Sequence, residues 1–388
     1  MKKTLIATFA LAAAVVAQAQ AQARAEVARP APVVGTYILA ERGVGVVEQL
    51  KPGRVTHILY AFLLICGEGQ RKEEAAACAG KPNFSIAPHA DQDTFSAAFE
   101  RLKTRDPQVQ VLASVGGWGG SDPFFHLAAT PTGRAAFIQS AIAWLRAHPG
   151  FDGLDIDWEH PGSNGAANGV PLGTKDDGEY FVQLMQELRT ALDALGRDTG
   201  KRYALTVAVN TTKEQLNRMP TAMGRAAQSL DLVFMMTYDY TGPWTQTIGN
   251  HSALRSAKPG DDRSLEAAVA SFKAEGMPAH KLVGGVAMYA RGFDGVKPDG
   301  TYAKPYPSAD GSIAFKDLRT LGLKPKFDKA TQSWAVVGPG KFVGYDDPRA
   351  VRAKVAFAKK AGLAGVFAWE LSQDNGEILD AMNTMHTP

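Results

Sequence analysis

Cysteine is almost missing from this chain. Cys66 and Cys78 are the only two, and both fall in the charged, Gly- and Ala-rich segment 65–81. Two thiols with no histidine pair beside them argue against a structural zinc site, which takes four ligands. Two readings remain: a disulfide closing that segment, which an oxidising compartment favours, or two unrelated thiols. Charge of one sign is also scarce. The formal net charge is +3 and no cluster of lysine or arginine stands out, so neither nucleic acid nor an anionic membrane is expected as a partner. Past the N-terminal stretch there is no run of about 18 apolar residues, so no membrane span is expected. Gly43-Val44-Gly45 lacks the third glycine of a dinucleotide fingerprint. No Gly-x-Ser-x-Gly elbow of a serine hydrolase occurs. The eight histidines show no metal-ligand spacing. A chemistry that needs neither metal nor organic cofactor is expected.

What is present begins with an address. Lys2 and Lys3 precede an apolar run at 5–16, and Ala17-Gln18-Ala19 is followed by the same small-x-small spacing at Ala19-Gln20-Ala21 and Ala21-Gln22-Ala23. This is the pattern of a secretory signal, expected within residues 1–25, with the cut open among those sites. It predicts an exported, soluble protein, extracellular or periplasmic, with no membrane association after cleavage. Residues 25–32 read as a linker and 30–388 as one catalytic domain. A monomer is expected.

Hydrophobic residues make up 45% of the chain, enough for a sizeable core. Short runs rich in Val, Ile and Leu recur at 33–39, 55–64, 109–115, 154–158, 203–209, 232–237, 282–288 and 365–369. They are apolar on both faces, as strands of a covered parallel sheet are. Helical patterns lie between them. Thr132 is placed to cap a helix in which Phe137, Ile138, Ala141 and Leu145 share a face, stopped by Pro149-Gly150. Phe181, Leu184, Leu188, Leu192 and Leu195 mark another, and 351–360, closed by Gly362, a third. Strand and helix repeated eight times predict a (β/α)₈ barrel, with a doubly wound open sheet as the alternative. Two excursions break the rhythm: residues 64–95, and 292–345 between strands seven and eight. The second is expected to form a small α+β insertion.

The chemistry concentrates at Asp152-Gly153-Leu154-Asp155-Ile156-Asp157-Trp158-Glu159. Strand side chains alternate, so Asp155, Asp157 and Glu159 share one face and Leu154, Ile156 and Trp158 the other. Three acids on one side of an apolar strand cannot all ionise cheaply, and burial with mutual repulsion must raise at least one pKa. A carboxyl kept protonated near neutral pH can serve as a general acid. Glu159 stands at the C-terminal end, where barrel enzymes place their catalytic groups. Asp152 has opposite parity and is assigned a structural role.

The spacing Asp152-x-x-Asp155-x-Asp157-x-Glu159 resembles the signature of glycoside hydrolase family 18, the family of many chitinases. Other segments are similar to family motifs in the same order: Ser114-Val115-Gly116-Gly117-Trp118, Met236-Thr237-Tyr238-Asp239, Tyr289-Ala290-Arg291 and Ala368-Trp369-Glu370-Leu371-Ser372. The resemblance covers essentially the whole mature chain. It implies hydrolysis of β-1,4-linked N-acetylglucosamine, in chitin or its oligosaccharides, with retention and with the substrate's own N-acetyl carbonyl as nucleophile. Glu159 would protonate the glycosidic oxygen. Asp157 would orient the N-acetyl group, Asp155 would share a proton with Asp157, and Tyr238 would bond the N-acetyl oxygen. Asp239 and Arg291 would contact sugar, and Trp369 would floor the cleavage point. The same resemblance marks Tyr37, Phe62, Trp118, Met236 and Tyr289 as substrate-binding. Trp244, Phe293 and Trp334 are aromatic candidates for further sugar subsites. The sequence departs from many relatives at Asn210-Thr211-Thr212, where small residues or proline are common, and at Ala290, where glycine is. Rival readings are an endo-β-N-acetylglucosaminidase and a chitin-binding lectin; the acid at 159 disfavours the lectin.

Overall fold

The computed structural model describes residues 31–387 apart from 168, 309 and 323; the expected signal segment lies outside the described residues. Seven parallel strands follow one another: β1 (Val33–Leu39), β2 (His57–Leu63), β3 (Gln110–Gly116), β4 (Gly153–Asp157), β5 (Ala204–Asn210), β6 (Leu232–Met236) and β7 (Leu282–Ala287). An insertion then supplies β8 (Tyr289–Asp294), β9 (Lys304–Pro305), β10 (Ser312–Ala314), β11 (Pro325–Asp328), β12 (Ser333–Gly338) and β13 (Lys341–Tyr345). The last strand, β14 (Gly365–Trp369), pairs with β7 on one side and β1 on the other, and so closes the barrel. The open-sheet alternative is thereby set aside.

The two faces of each strand do different work. Leu154, Ile156 and Trp158 belong to the apolar belt between barrel and helices. Tyr37, Leu59, Leu112, Phe234, Val283 and Phe367 fill the interior. Helix Asp177–Thr199 buries Phe181, Leu184, Leu188, Leu192 and Leu195 against the belt and ends at Gly200 in the left-handed conformation. Helix Pro131–Ala147 starts two residues earlier than Thr132 would have it. Thr130 is the cap: its side chain accepts from the Gly133 N–H, and Pro131, which has no N–H to satisfy, takes the first helical position.

The insertion also begins earlier than residue 292. Only Met288 separates β7 from β8, and β8 joins the antiparallel order β10-β8-β13-β12-β11, with β9 on β8. Its one helical piece among the described residues is a 3₁₀ stretch, Phe315–Leu321, halted by left-handed Gly322. In the other excursion Cys66 and Cys78 are joined as a disulfide. No helix among the described residues is long and apolar enough to cross a membrane.

A buried ion pair fastens the insertion to the barrel. Lys354, on helix Pro348–Ala361, donates to Asp346 Oδ2 and to Ser252 Oγ, each at 2.6 Å. The Ala287 N–H at the end of β7 also points to Asp346 Oδ2, at 3.3 Å. Both charged side chains are fully buried. Breaking such a pair leaves an uncompensated charge in the core. Lys354→Met should therefore cost about 3–5 kcal/mol of stability, read as a lower urea midpoint; an unchanged midpoint would mean the pair is not holding the two parts.

Candidate active site

The inward face of β4 carries the acids. Asp155 is fully buried. It accepts three hydroxyl hydrogen bonds: Tyr37 Oη to Oδ2 at 2.8 Å, Ser114 Oγ to Oδ2 at 2.8 Å, and Thr206 Oγ1 to Oδ1 at 2.6 Å. The donors come from β1, β3 and β5. Ser114 and Thr206 are the register partners of Asp155 on the two neighbouring strands, so all three sit on one level of the barrel. Burial pushes the Asp155 carboxyl up, and the three hydroxyls oppose the rise.

Asp157 is one level higher and 2% exposed. Its Oδ1 is buried with no hydrogen-bond partner. Burial raises its pKa well above the usual carboxylate range, and the charges of Glu159 and Asp155 add to this. Gly116 is required beside Asp157: a Cβ there would meet the Asp157 carbonyl oxygen at 2.4 Å, and its φ is +107°.

Glu159 follows at the barrel mouth, its side chain 14% exposed. Burial, with the Asp239 charge second, pushes its carboxyl up to about 8, and the Trp118 backbone works the other way. Ser121 Oγ clasps its backbone, accepting from the Glu159 N–H at 3.1 Å and lying 3.3 Å from its carbonyl.

The far wall is built by β6, β8 and the insertion. Asp239 has a left-handed backbone, φ +59°. Its Oδ1 accepts from Arg291 Nε at 2.9 Å, and Nη2 of the same guanidinium lies 2.8 Å from that oxygen. Burial works to raise the Asp239 carboxyl, but the His251 hydrogen bond and the Arg291 charge outweigh it and hold it below the usual range. The other side of Arg291 is bound by Asp310, whose carbonyl lies 2.6 Å and carboxylate 3.1 Å from Nη1. The guanidinium sits 5.0 Å from the Trp244 ring and 5.1 Å from the Tyr289 ring. Tyr238 is 8% exposed, and burial and then the Asp157 charge raise its hydroxyl pKa, leaving a firm O–H donor. Trp369 packs on Phe62 and Tyr37, with ring centroids 5.8 and 5.2 Å apart. Among the described residues no cluster of His, Cys, Asp and Glu could hold a metal ion.

Glu159, the buried Asp157 carboxyl with its unpartnered Oδ1, and Trp369 all stand at the C-terminal ends of barrel strands. The family model described as glycosyl hydrolases family 18 matches residues 36–374. The chain belongs to that family. It is similar to a chitinase of Autographa californica nuclear polyhedrosis virus, 30% identical over 88% of this chain and 69% of the relative. A family 18 N-acetylglucosaminidase from Paenibacillus barengoltzii superposes with a TM-score of 0.75 at 27% identity, over 91% of this chain and 99% of that one. A family 18 chitinase from Cycas revoluta in complex with (GlcNAc)3 gives 0.76 at 26% identity, again over 91% and 99%.

In this family 18 chain the expected residues are not equally placed. Asp157, Glu159, Tyr238, Asp239, Arg291 and Trp369 converge, and Met236 and Phe62 border them, half-buried. Trp118 and Trp244 are 63% and 59% exposed and stand at the mouth beside His160 and Arg291. Tyr37 and Tyr289 are buried, at 1% and 3%, so they back other site residues rather than face open space. Phe293 is buried too, against Tyr302 and Phe342 in the insertion's own core. Trp334 packs on Phe327 in the β11–β12 hairpin. Neither belongs to the cluster. Asp152 accepts from the Val111 N–H at 2.7 Å and pairs with Lys103 and Lys201, which ties β3 to β4 away from the site. The sequence reading does not single out Thr206 or Asp310, and it finds no ligand spacing for His160 or His251. Thr206 was within reach, since strand alternation in β5 gives it the same inward level as Asp155.

Proposed function

We propose that this glycoside hydrolase is an exported chitinase, cleaving β-1,4 links between N-acetylglucosamine units with retention and by substrate assistance. The observation that carries the reading is Glu159. Its pKa of about 8 keeps it protonated at neutral pH, and it stands close enough to act on the Asp157 carboxyl, whose Oδ1 has no protein partner. Glu159 gives its proton to the glycosidic oxygen as the C1–O bond breaks, and the bonding pair leaves with that oxygen. The substrate's N-acetyl carbonyl oxygen bonds C1 in its place and forms an oxazolinium ring. Asp157, its proton handed to Asp155, accepts from the N-acetyl N–H at Oδ1 and offsets the growing positive charge. The Tyr238 hydroxyl donates to the N-acetyl oxygen, and Trp369 floors the ring. Glu159, now a carboxylate, takes a proton from the water that reopens the oxazolinium at C1. A protein nucleophile is not needed. The other carboxyls are committed: Asp155 to three hydroxyls, Asp239 to Arg291.

The chitinase name of the viral relative and the oligosaccharide in the Cycas structure support the substrate class. Export rests on the leader pattern at residues 1–25. The test is to incubate the mature protein with N-acetylglucosamine hexamer and follow the products by proton NMR. The first reducing ends should be β-anomers. An initial excess of α-anomer would overturn the substrate-assisted route. Glycan release from an N-glycoprotein with the hexamer left intact would overturn the chitinase reading.

A further inference from the structure

One polar group at the mouth has no part in that reaction. His160 follows Glu159 directly, and its Nε2 lies 3.5 Å from Glu159 Oε2. The imidazole is 14% exposed at the side chain and lies between the carboxyl and the Trp118 indole, 6.5 Å from the indole centroid. Its backbone is held independently of the ring. Gln215 Nε2 donates to the Pro161 carbonyl at 2.5 Å, the Ser163 N–H to the His160 carbonyl at 2.9 Å, and the Gly162 N–H to Asp177 Oδ2 at 2.8 Å. A ring carried on a backbone held this firmly, 3.5 Å from the acid, is a built feature.

We propose that His160 is a positioning residue for Glu159: its Nε2–H donates to the Glu159 carboxylate that forms as the acid gives up its proton. This rests on the reading of Glu159 given above. The donated bond favours the ionised form of the carboxyl and so strengthens it as an acid at the moment of transfer. The imidazole does this without charge, because burial holds its pKa down at about 4. An imidazolium in the same place would drain the proton from Glu159 before substrate arrived. A neutral ring carries one N–H, and the carboxylate selects the tautomer with it on Nε2. The charged and titratable groups facing the pair are few. Asp157 is on β4 itself. Asp239 comes from beyond β6, with Arg291 and His251 bound to it. Asp122 comes from beyond β3, beside Gly165. Arg218 reaches the Gly162 carbonyl from helix Lys213–Arg218 and is paired with Glu214.

The experiment compares His160→Phe and His160→Met, which lack the donor, with His160→Gln, whose amide N–H can take the place of Nε2. All are assayed on N-acetylglucosamine hexamer over a full pH range. The two non-donors should lose about tenfold in kcat with little change in KM. The basic limb of their kcat profile should move to higher pH, because Glu159 loses a bond to its ionised form. His160→Gln should recover most of both. Non-donors with the parent's kcat and pH limbs would overturn the proposal, as would a Gln variant as impaired as Met. Failure of the parent itself to cleave the hexamer would instead sink the chitinase reading.

Discussion

The Glu159→Gln chain is expected to bind N-acetylglucosamine hexamer as its parent does and to cleave it roughly 10²–10⁴-fold more slowly. Glutamine keeps the length and planar end of the side chain but has no proton to give the leaving oxygen. Titration calorimetry with the inactive chain, set beside single-turnover rates, separates the two effects. Full turnover in the variant would remove Glu159 from the reaction. The parent carries a matching signature. Burial and the Asp239 charge push the Glu159 carboxyl up to about 8. The acid form is present below that value and lost as pH rises through it, so kcat/KM, which reports the free enzyme, should fall on the basic side near pH 8. A basic limb placed near pH 5 would mean that Glu159 sits in a wetter setting than its surroundings here provide.

Asp157→Asn is expected to slow hexamer cleavage by about 10²–10³-fold. The change is small in shape and large in charge. The buried Oδ1 of Asp157 has no protein partner, which leaves it free for the N-acetyl N–H. The negative charge also offsets what develops on the oxazolinium. Asparagine keeps one acceptor and loses the charge, so the loss should appear in kcat more than in KM. Combined with Glu159→Gln the two penalties should fall well short of their sum, since both act on one step. Stopped-assay rates for both single variants and the double variant check this. Near-parent turnover in Asp157→Asn would leave the N-acetyl group without its orienting partner and the substrate-assisted scheme without support.

The parts legible in the sequence are those governed by short-range periodicity. The eight barrel strands were marked by apolar runs that hydrophobic burial on both faces demands, and their ends shift by only a residue or two. The common face of Asp155, Asp157 and Glu159 follows from alternation within one strand. What escaped reading depends on distant parts of the chain. The three hydroxyls on Asp155 lie 118, 41 and 51 residues away, and no local pattern announces that they meet. Phe293 looked like a subsite aromatic because composition cannot tell which face of an antiparallel strand is covered; the insertion's own core covers it. Thr132 and Thr130 are equally good caps by type, and Pro131 decides between them. His160 offered no spacing to any other ligand, and its interest comes only from standing 3.5 Å from the acid.

The alternation in β4 has a consequence for how this gene can change. One set of residues on that strand, Leu154 and Ile156, is packed under helices, while the interleaved Asp155 and Asp157 serve the interior. Gain or loss of a single codon within the strand would swap the two sets, placing carboxylates in the apolar belt and aliphatics where the acids stand. Stability and turnover would vanish together. Substitutions in this stretch can be sampled one at a time, but its length cannot drift, and length variation is left to the excursions at 64–95 and 289–345.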